Sequence, residues 1–248
     1  MVPATAAKIR RAIAGAVATL FIVFGTGTAG AVSLTVLPVI IHMAPGQMVA
    51  AMTVVNHGNR AIAFQVRPFI WSQRNNQDVL TPTNALLISP PLGTIDAGAR
   101  QVIRLALRQA PAGRESSYRI LLDDIPPPAA PGTVQIALRL SIPIFAEPRT
   151  RVAAQVQWQI ETNAGQSFLV GINKGSRHEA VRDIRLVAPD GRAMKVKVNG
   201  TPYILAGATR RWRIAPPLPP LAPGATLRLM ARTDTGKFDE PVRVVGNP

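Results

Sequence analysis

Cysteine is absent from the 248 residues, and aromatic side chains make up only 5% of them. Without cysteine there is no disulfide framework and no thiolate metal site, so the fold must rely on apolar cores. A nucleic-acid surface would need aromatics interleaved with basic clusters, which argues against nucleic acid as a partner. No stretch after residue 31 sustains the apolar spacing of an amphipathic helix. The missing helical spacing argues against an α-helical protein, and the alternating runs described below indicate an all-β protein.

Residues suited to catalysis are also scarce. The three histidines, His42, His57 and His178, are far apart in the sequence. No HExxH, GxSxG, P-loop or GxGxxG motif occurs. Asp123 and Asp124 are adjacent, but neighbours on a strand point to opposite faces and cannot share an acid–base site. We therefore expect no enzyme activity, no metal and no cofactor.

The N-terminus has the pattern of a secretory signal peptide. Basic residues between positions 8 and 11 precede an apolar run over 12–24, and Ala29-Gly30-Ala31 forms a small-x-small cleavage site. The run is shorter than the ~20 residues of a transmembrane helix. We predict that residues 1–31 are removed and that no stable membrane insertion follows; the alternative is an uncleaved N-terminal anchor.

Positive charge is concentrated in the second half of the chain. The net charge is +15; residues 32–147 carry nine bases and six acids, and residues 148–248 carry sixteen bases and seven acids. A basic, arginine-preferring proteome with a solvated surface explains this excess, and so does attraction to anionic partners or a membrane surface. The sequence leaves both explanations open.

Short alternating runs separated by turn residues predict the strands. Roughly seven such runs occur within about 115 residues of the first half, the number and spacing of an immunoglobulin-like sandwich. The segment AEPRTRVA, residues 146–153, has the composition of a domain connection, and further strand patterns follow it. We predict two β-sandwich domains, over residues 32–147 and 148–248.

One predicted strand lies in VQIALRLSIPIFAEP, residues 134–148. Its apolar residues occupy every second position, which is typical of a half-buried strand. Pro143 lies inside the run and cannot donate to a β ladder, so we expect the strand at a sheet edge. Soluble proteins normally blunt long apolar edges because such edges recruit other chains.

Arginines lie at alternate positions on neighbouring predicted strands. Arg119, within Tyr118-Arg119-Ile120-Leu121-Leu122, must reach water or a carboxylate. It is either a surface residue that extends its head group to solvent or an anchor for a partner's carboxylate. Arg67, Arg104 and Arg139 are weaker candidates for the same role.

Several segments resemble the periplasmic pilus chaperones of chaperone-usher pathways, most closely the archaic branch that serves spore-coat-U-like pilins. The similarity is carried by VSLTVLPVII, VRPFIWSQ, LLISPPLGTIDAGARQVIRL, SYRILLDDIPP and VQIALRLSIPIF. It covers residues 32 to 148 by motif. The second half is similar in position, length and β character.

The resemblance implies two immunoglobulin-like domains set at an angle, with a cleft between them, and a non-enzymatic role in the periplasm. Such chaperones bind pilin subunits that lack a strand, lend them an alternating strand, and deliver them to an outer-membrane usher. The implied donor positions are Val134, Ile136, Leu138, Leu140 and Ile142. The alternative is that this face packs only into the protein's own core.

The chain departs from the family pattern at the subunit anchor. Better-known members bind the subunit's C-terminal carboxylate with two basic residues, and the corresponding positions here are Pro38 and Pro143. Arg119 is therefore our first choice of anchor, and Arg139 is the second. Glu147 also replaces an arginine that links the two domains, so a linking ion pair would need its base from the second domain.

Two other functions fit a secreted β protein. One is an adhesin or a structural component of a pilus, although a pilin is expected to have one incomplete sandwich, commonly with a disulfide. The other is a sugar-binding module, for which we would expect more than three tryptophans and two tyrosines. Neither explains two sets of strands and an apolar edge as well as a chaperone does.

Overall fold

The computed structural model describes residues 33–128, 131–132, 135–150, 152–163, 165–215 and 221–246. The predicted signal peptide lies outside these ranges. The described residues contain no helix with the length and apolarity needed to cross a membrane. They form strands that belong to two successive β-sandwiches.

The first sandwich contains ten short strands. They are β1 (Leu34–Leu37), β2 (Ile41–Met43), β3 (Val49–Asn56), β4 (Ile62–Arg74), β5 (Gln77–Pro82), β6 (Leu86–Ser89), β7 (Leu92–Ile95), β8 (Arg100–Leu107), β9 (Ser116–Ile125) and β10 (Arg139–Ala146). One sheet has the order β1-β3-β8-β6; the other has the order β2-β10-β9-β4-β5, with β7 beside β4. Alternate residues such as Met52, Val54, Ile103 and Ile120 fill the core between the sheets, as period-two patterns require.

The described residues of the first sandwich form ten strands where roughly seven were predicted, because prolines divide two segments and because β5 pairs with the end of β4 in a hairpin that the sequence analysis did not predict. The segment at Pro38 divides into β1 and β2, which belong to different sheets. The segment at Pro90 and Pro91 likewise divides into β6 and β7. Proline has no N–H for the ladder, so these positions favour a change of sheet.

The second sandwich follows the same principles. Its strands are β11 (Val156–Asn163), β12 (Gln166–Asn173), β13 (Glu179–Val187), β14 (Ala193–Met194), β15 (Val196–Lys197), β16 (Tyr203–Ile204), β17 (Thr209–Ile214), β18 (Thr226–Thr233) and β19 (Gly236–Gly246). They pair in the order β14-β13-β18-β19-β11-β12-β17-β15, with β16 beside β13. One core is shared by strands from both ends of this order. It contains Leu186 of β13 and Leu229 of β18 together with Leu169 of β12 and Trp212 of β17. The predicted boundary at residues 147 and 148 lies in the connection between β10 and β11.

A buried asparagine stabilises the turn after β3. The side-chain amide of Asn56 is fully buried; its Nδ2 donates to the carbonyl of Arg60 at 2.7 Å and to that of Ile95 at 3.0 Å. Its Oδ1 accepts a hydrogen bond from the backbone N–H of Gly58 at 2.9 Å. One side chain therefore ties the turn to the strand that ends at Ile95.

The second sandwich repeats this arrangement after β12. Nδ2 of Asn173 donates to the carbonyls of Arg177 at 2.8 Å and Ile204 at 3.1 Å, and Oδ1 accepts from Gly175 N at 3.0 Å. The spacing Asn-x-Gly-x-Arg occurs in both turns, at residues 56–60 and 173–177. This shared spacing is the sequence signal of the repeated turn, and our reading of the sequence missed it.

Replacement of Asn56 by alanine should destabilise the first sandwich. The variant leaves several buried backbone groups without partners, so we expect a loss on the order of 3 kcal/mol in the free energy of unfolding. Urea unfolding measures the change. His57→Ala, at the exposed neighbouring position, should stay close to wild type, and equal losses in both variants would contradict the role of the amide.

Asp124→Asn should stabilise the protein at neutral pH. Asp124 is buried on β9, and its Oδ2 has no hydrogen-bond partner in the described part of the chain. Burial raises its pKa, and Arg60 offsets part of the increase. An acid whose pKa is raised on folding loses stability as the pH rises from its unfolded pKa through its folded pKa.

The gain from Asp124→Asn should therefore be largest at pH 7 and shrink as the pH is lowered towards 4. Urea unfolding at a series of pH values tests this. A variant that is destabilised equally at all pH values would show that the carboxylate has a structural role instead.

Candidate functional site

Strand β10 is paired along its whole length on one side and along only part of it on the other. Residues Arg139–Ala146 pair with β9, whereas β2 pairs in parallel with residues 144–146 alone. Among the described residues, no strand occupies the second side of residues 139–143. Pro143 lies directly before the first residue paired with β2, as expected for a proline at a sheet edge.

The segment before β10 is more irregular than the sequence predicts. The alternation predicts a strand from Val134, but the regular strand begins at Arg139, and Val134 lies outside the described residues. Asp124 N donates to the carbonyl of Leu138 at 2.8 Å, so pairing with β9 extends that far and then stops where β9 ends. Without partner strands, residues 135–137 have no ladder to hold them in register.

The four described donor candidates differ in burial. Ile136 is 80% exposed, Leu138 is half-buried, Leu140 packs partly against the core of the first sandwich, and Ile142 is 4% exposed within that core. The alternative that this face packs only into the protein's own core therefore applies to Ile142, and in part to Leu140. It does not describe Ile136, a large aliphatic side chain left in water beside an open edge.

Arg119 lies on β9, on the side of the sheet opposite to the core residues Tyr118 and Ile120. It faces Pro143 on β10 and Phe69 on β4 across the ladders. Only 8% of the residue is exposed. The guanidinium carbon is 3.9 Å from the ring centroid of Trp71, a cation–π distance.

Polar contacts of the Arg119 guanidinium are few. Nη1 donates to Oγ of Ser141 on β10 at 3.2 Å. In the portion of the chain that the structure describes, no carboxylate lies within 4.0 Å of it. Burial lowers the pKa of Arg119, and the negative charge of Asp78 opposes that change. A buried cation without a close counterion can accept an anionic ligand.

Arg139 is in a different electrostatic situation. It forms an ion pair with Asp123, which also accepts from Arg67 Nη2 at 2.7 Å. Burial by itself would raise the pKa of Asp123, but the hydrogen bonds from the two arginines outweigh it and lower the pKa. The Arg139 side chain is 61% exposed and already paired. Arg104 lies on β8 in the other sheet.

Acids of the first sandwich contact bases of the second at several points. Glu147 Oε1 lies 3.1 Å from Arg177 Nε, so this link takes its base from the second sandwich, as the sequence requires. Both carboxylate oxygens of Glu115 lie 2.8 Å from Nδ1 of the buried His178. Asp124 does not take part; its charged neighbour is Arg60.

Aromatic side chains form the rest of the joint between the sandwiches. Phe145 stacks on His178 with ring centroids 3.6 Å apart, and Trp71 meets Tyr203 edge-on at 5.6 Å. Trp71 and Phe145 belong to the first sandwich but pack within the core cluster of the second. Beside them a cleft of about 310 Å³ is lined by residues 70–73, 115–118 and 205–208. Sequence reasoning missed this joint because each of these aromatics has the pattern of an ordinary core residue.

A family model matches the first part of the chain. Residues 33–151 match the family described as pili and flagellar-assembly chaperone, PapD N-terminal domain. No curated protein sequence matches the chain significantly.

Solved structures show a similar fold over most of the chain. One is the CsuC–CsuE chaperone–tip adhesion subunit pre-assembly complex from archaic chaperone-usher Csu pili of Acinetobacter baumannii, at 20% identity and TM-score 0.61, covering 87% of this chain and 100% of that chain. The YadV chaperone matches at 18% identity and TM-score 0.61, covering 85% and 98%. The complex of the Salmonella enterica SafA pilin with the SafB chaperone matches at 17% identity and TM-score 0.56, covering 87% and 97%.

These likenesses establish the fold, and the family match establishes the kind of domain. All three structures contain chaperones, in one case with a tip adhesion subunit and in another with a pilin, and each match extends over both sandwiches of this chain. The chain therefore has the two-domain immunoglobulin-like architecture of pilus chaperones, and its residues 33–151 are an N-terminal domain of the pili and flagellar-assembly chaperone family.

Proposed function

We propose that this protein is a periplasmic chaperone that binds pilin subunits by donor-strand complementation and delivers them to an outer-membrane usher. The observation that carries the proposal is the half-open edge of β10, with the exposed Ile136 just before it and the buried Arg119 beside it. The family and the likeness to chaperone–subunit complexes support it. The same reasoning proposes residues 32–147 as the chaperone domain and residues 148–248 as the second domain.

The five donor positions divide into two groups under this proposal. Val134, Ile136 and Leu138 enter the groove of the subunit, because the free protein leaves Ile136 exposed and Leu138 half-buried. Leu140 and Ile142 hold the base of the strand in the protein's own core. Burial of each large aliphatic side chain contributes roughly 1.5 to 3 kcal/mol before the costs of association. The open main-chain edge over residues 139–143 supplies hydrogen bonds.

Arg119 is proposed as the anchor for the subunit's C-terminal carboxylate. Its guanidinium has lost most of its water and has no carboxylate within 4.0 Å among the described residues, so an incoming carboxylate would supply a counterion. The hydrogen bond to Ser141 shows that the side chain reaches β10, the strand on which the subunit would pair. Arg139 is the weaker candidate because Asp123 already pairs with it.

Ile136→Asp should weaken subunit binding without affecting the fold. The side chain is 80% exposed in the free protein, so the change costs little stability but places a charge in the subunit's groove. We expect the dissociation constant to rise by at least tenfold, since lost burial of about 2 kcal/mol already exceeds a factor of ten. Isothermal titration calorimetry with a purified pilin measures this.

Gln135→Asp is the matched control for Ile136→Asp. It introduces the same charge one position earlier, where the side chain points to the other face of an extended strand. Equal binding by wild type and both variants would contradict the assignment of the donor residues.

Arg119→Ala should remove the preference for a free C-terminal carboxylate. Wild type is expected to bind a peptide of the pilin's C-terminal strand more tightly when it ends in a carboxylate than when it ends in an amide. A hydrogen-bonded charge pair contributes about 1.5 to 3 kcal/mol, so this preference should be roughly tenfold or more. Binding titrations with both peptides measure it.

Arg139→Ala provides the comparison on the adjacent strand and should retain the preference. If Arg119→Ala still distinguishes the two peptides and Arg139→Ala does not, then Arg139 is the anchor. Circular dichroism of both variants confirms that they remain folded.

A further inference from the structure

We propose that Gln73, Asn76 and Asp78, here called the latch, hold the two sandwiches at the angle that subunit binding requires. The latch lies on β4, β5 and the turn between them, and all three side chains contact the second sandwich. They are positioning residues, because they are expected to act through Trp71 and Arg119 without contacting a subunit. The positioning role rests on the proposed function, whereas the contact between the sandwiches does not.

The turn places Asn76 at the tip of the hairpin. Arg74 pairs with Gln77 across the ladder, so only Asn75 and Asn76 form the connection. Their φ values are +51° and +64°, as a two-residue type I′ turn requires, and asparagine is one of the few residues that adopts this conformation readily. The short turn gives Asn76 a defined direction towards the second sandwich.

The amide of Asn76 pairs with the edge of β17 as a strand would. Nδ2 donates to the carbonyl of Arg211 at 2.9 Å, and Oδ1 accepts from the Arg211 N–H at 2.8 Å. On this side of β17, β15 pairs only with Arg213 and Ile214. Asn76 therefore satisfies backbone groups of an otherwise open stretch of edge, which would attract other strands if it were left bare.

Gln73 makes a second pair of the same kind. Its Nε2 donates to the carbonyl of Tyr203 at 2.9 Å, and its Oε1 accepts from the N–H of Leu205 at 3.0 Å. Two side-chain amides of the first sandwich thus each make a donor and an acceptor contact with the backbone of the second. Such two-point contacts restrict the relative orientation of the sandwiches more than single hydrogen bonds do.

Asp78 supplies charge compensation across the joint. Its carboxylate lies 3.4 Å from Nη1 of Arg210, whose side chain is 5% exposed, and it accepts from the Thr201 hydroxyl at 3.1 Å. A buried guanidinium needs a counterion, and here the acid comes from the other sandwich. Arg210 also donates to the carbonyls of Asn199 and Thr201, but among the described residues its carboxylate partner is Asp78.

Strand β4 connects the latch to the proposed anchor. Trp71 lies two residues before Gln73 on this strand. The guanidinium carbon of Arg119 lies 3.9 Å from the centroid of the Trp71 ring. The same ring meets Tyr203 edge-on at 5.6 Å, next to the carbonyl that Gln73 binds. A change in the angle between the sandwiches would therefore move Trp71 relative to Tyr203 and disturb the position of Arg119.

Spin labels on the free, full mature chain test the latch directly. The chain has no cysteine, so Asp96→Cys and Lys237→Cys give one exposed label in each sandwich. Pulsed electron paramagnetic resonance should report one narrow distance distribution in the labelled parent protein. Combining Gln73→Ala with Asn76→Gly should broaden it, because glycine keeps the turn conformation but removes the amide.

Asn75→Gly is the matched control. It alters the same turn at a position of the same conformation, and in the described residues its side chain makes no hydrogen bond to the second sandwich. The distance distribution should stay narrow in this variant. A narrow distribution in the Gln73→Ala, Asn76→Gly variant, or equal broadening in Asn75→Gly, overturns the latch.

Pilin binding by the same proteins tests the positioning role. We expect the dissociation constant of the Gln73→Ala, Asn76→Gly variant to rise roughly tenfold and that of Asn75→Gly to stay unchanged, since several hydrogen bonds no longer hold the orientation. A broadened distance distribution with unchanged affinity overturns the positioning role. If the parent protein binds no pilin, the proposed function fails together with that role, while the distances still decide whether the latch exists.

Discussion

The central constraint of this molecule is the unequal pairing of β10. Along one side β9 holds the strand over its full length, and β2 secures only its last three residues on the other. Ile142 and Ile144 are buried in the core, whereas Ile136, just before the strand, is 80% exposed. The same strand is therefore firmly anchored and still able to pair with another chain, which a fully paired or fully free strand could not be.

The neighbouring charges depend on the same geometry. Arg119 extends from β9 across Trp71 to Ser141 on β10, so it lies next to the stretch of β10 that has no second partner. Asp123 pairs with both Arg67 and Arg139. Of these three arginines, Arg119 is the one without a carboxylate within 4.0 Å among the described residues, which is why we propose it as the anchor.

The contacts between the sandwiches fix the position of the residues that surround this site. Glu147 with Arg177 and Glu115 with His178 link acids of the first sandwich to bases of the second. Phe145 adds stacking on His178, so one strand, β10, contributes both to the edge that we propose for subunit binding and to the joint. The latch on the β4–β5 hairpin contacts the second sandwich at separate points, which is why we regard the angle between the sandwiches as part of the site.

Much of this could be predicted from the sequence. Alternation at period two predicts strands on physical grounds, because successive side chains on a strand face opposite ways, and Pro143 predicts a sheet edge because it lacks an N–H. The lack of cysteine and of catalytic sequence motifs reduced the number of function classes to consider. Similarity to known chaperone segments indicated the family. Local pattern could not show where β10 begins, since that depends on where its partner strand β9 ends.

Tertiary structure alone decided which residues meet. Whether Ile136 is exposed and Ile142 is buried depends on the partner strands beside each residue, not on the alternation that they share. The contacts of Asn76 with Arg211, and of Trp71 with Arg119 and Tyr203, join residues far apart in the chain, and isolated turn or core patterns carry no information about such partners. The sequence by itself determined the strands, their faces and the charge; the packing of the sandwiches decided which edge stays open and which arginine lacks a close counterion.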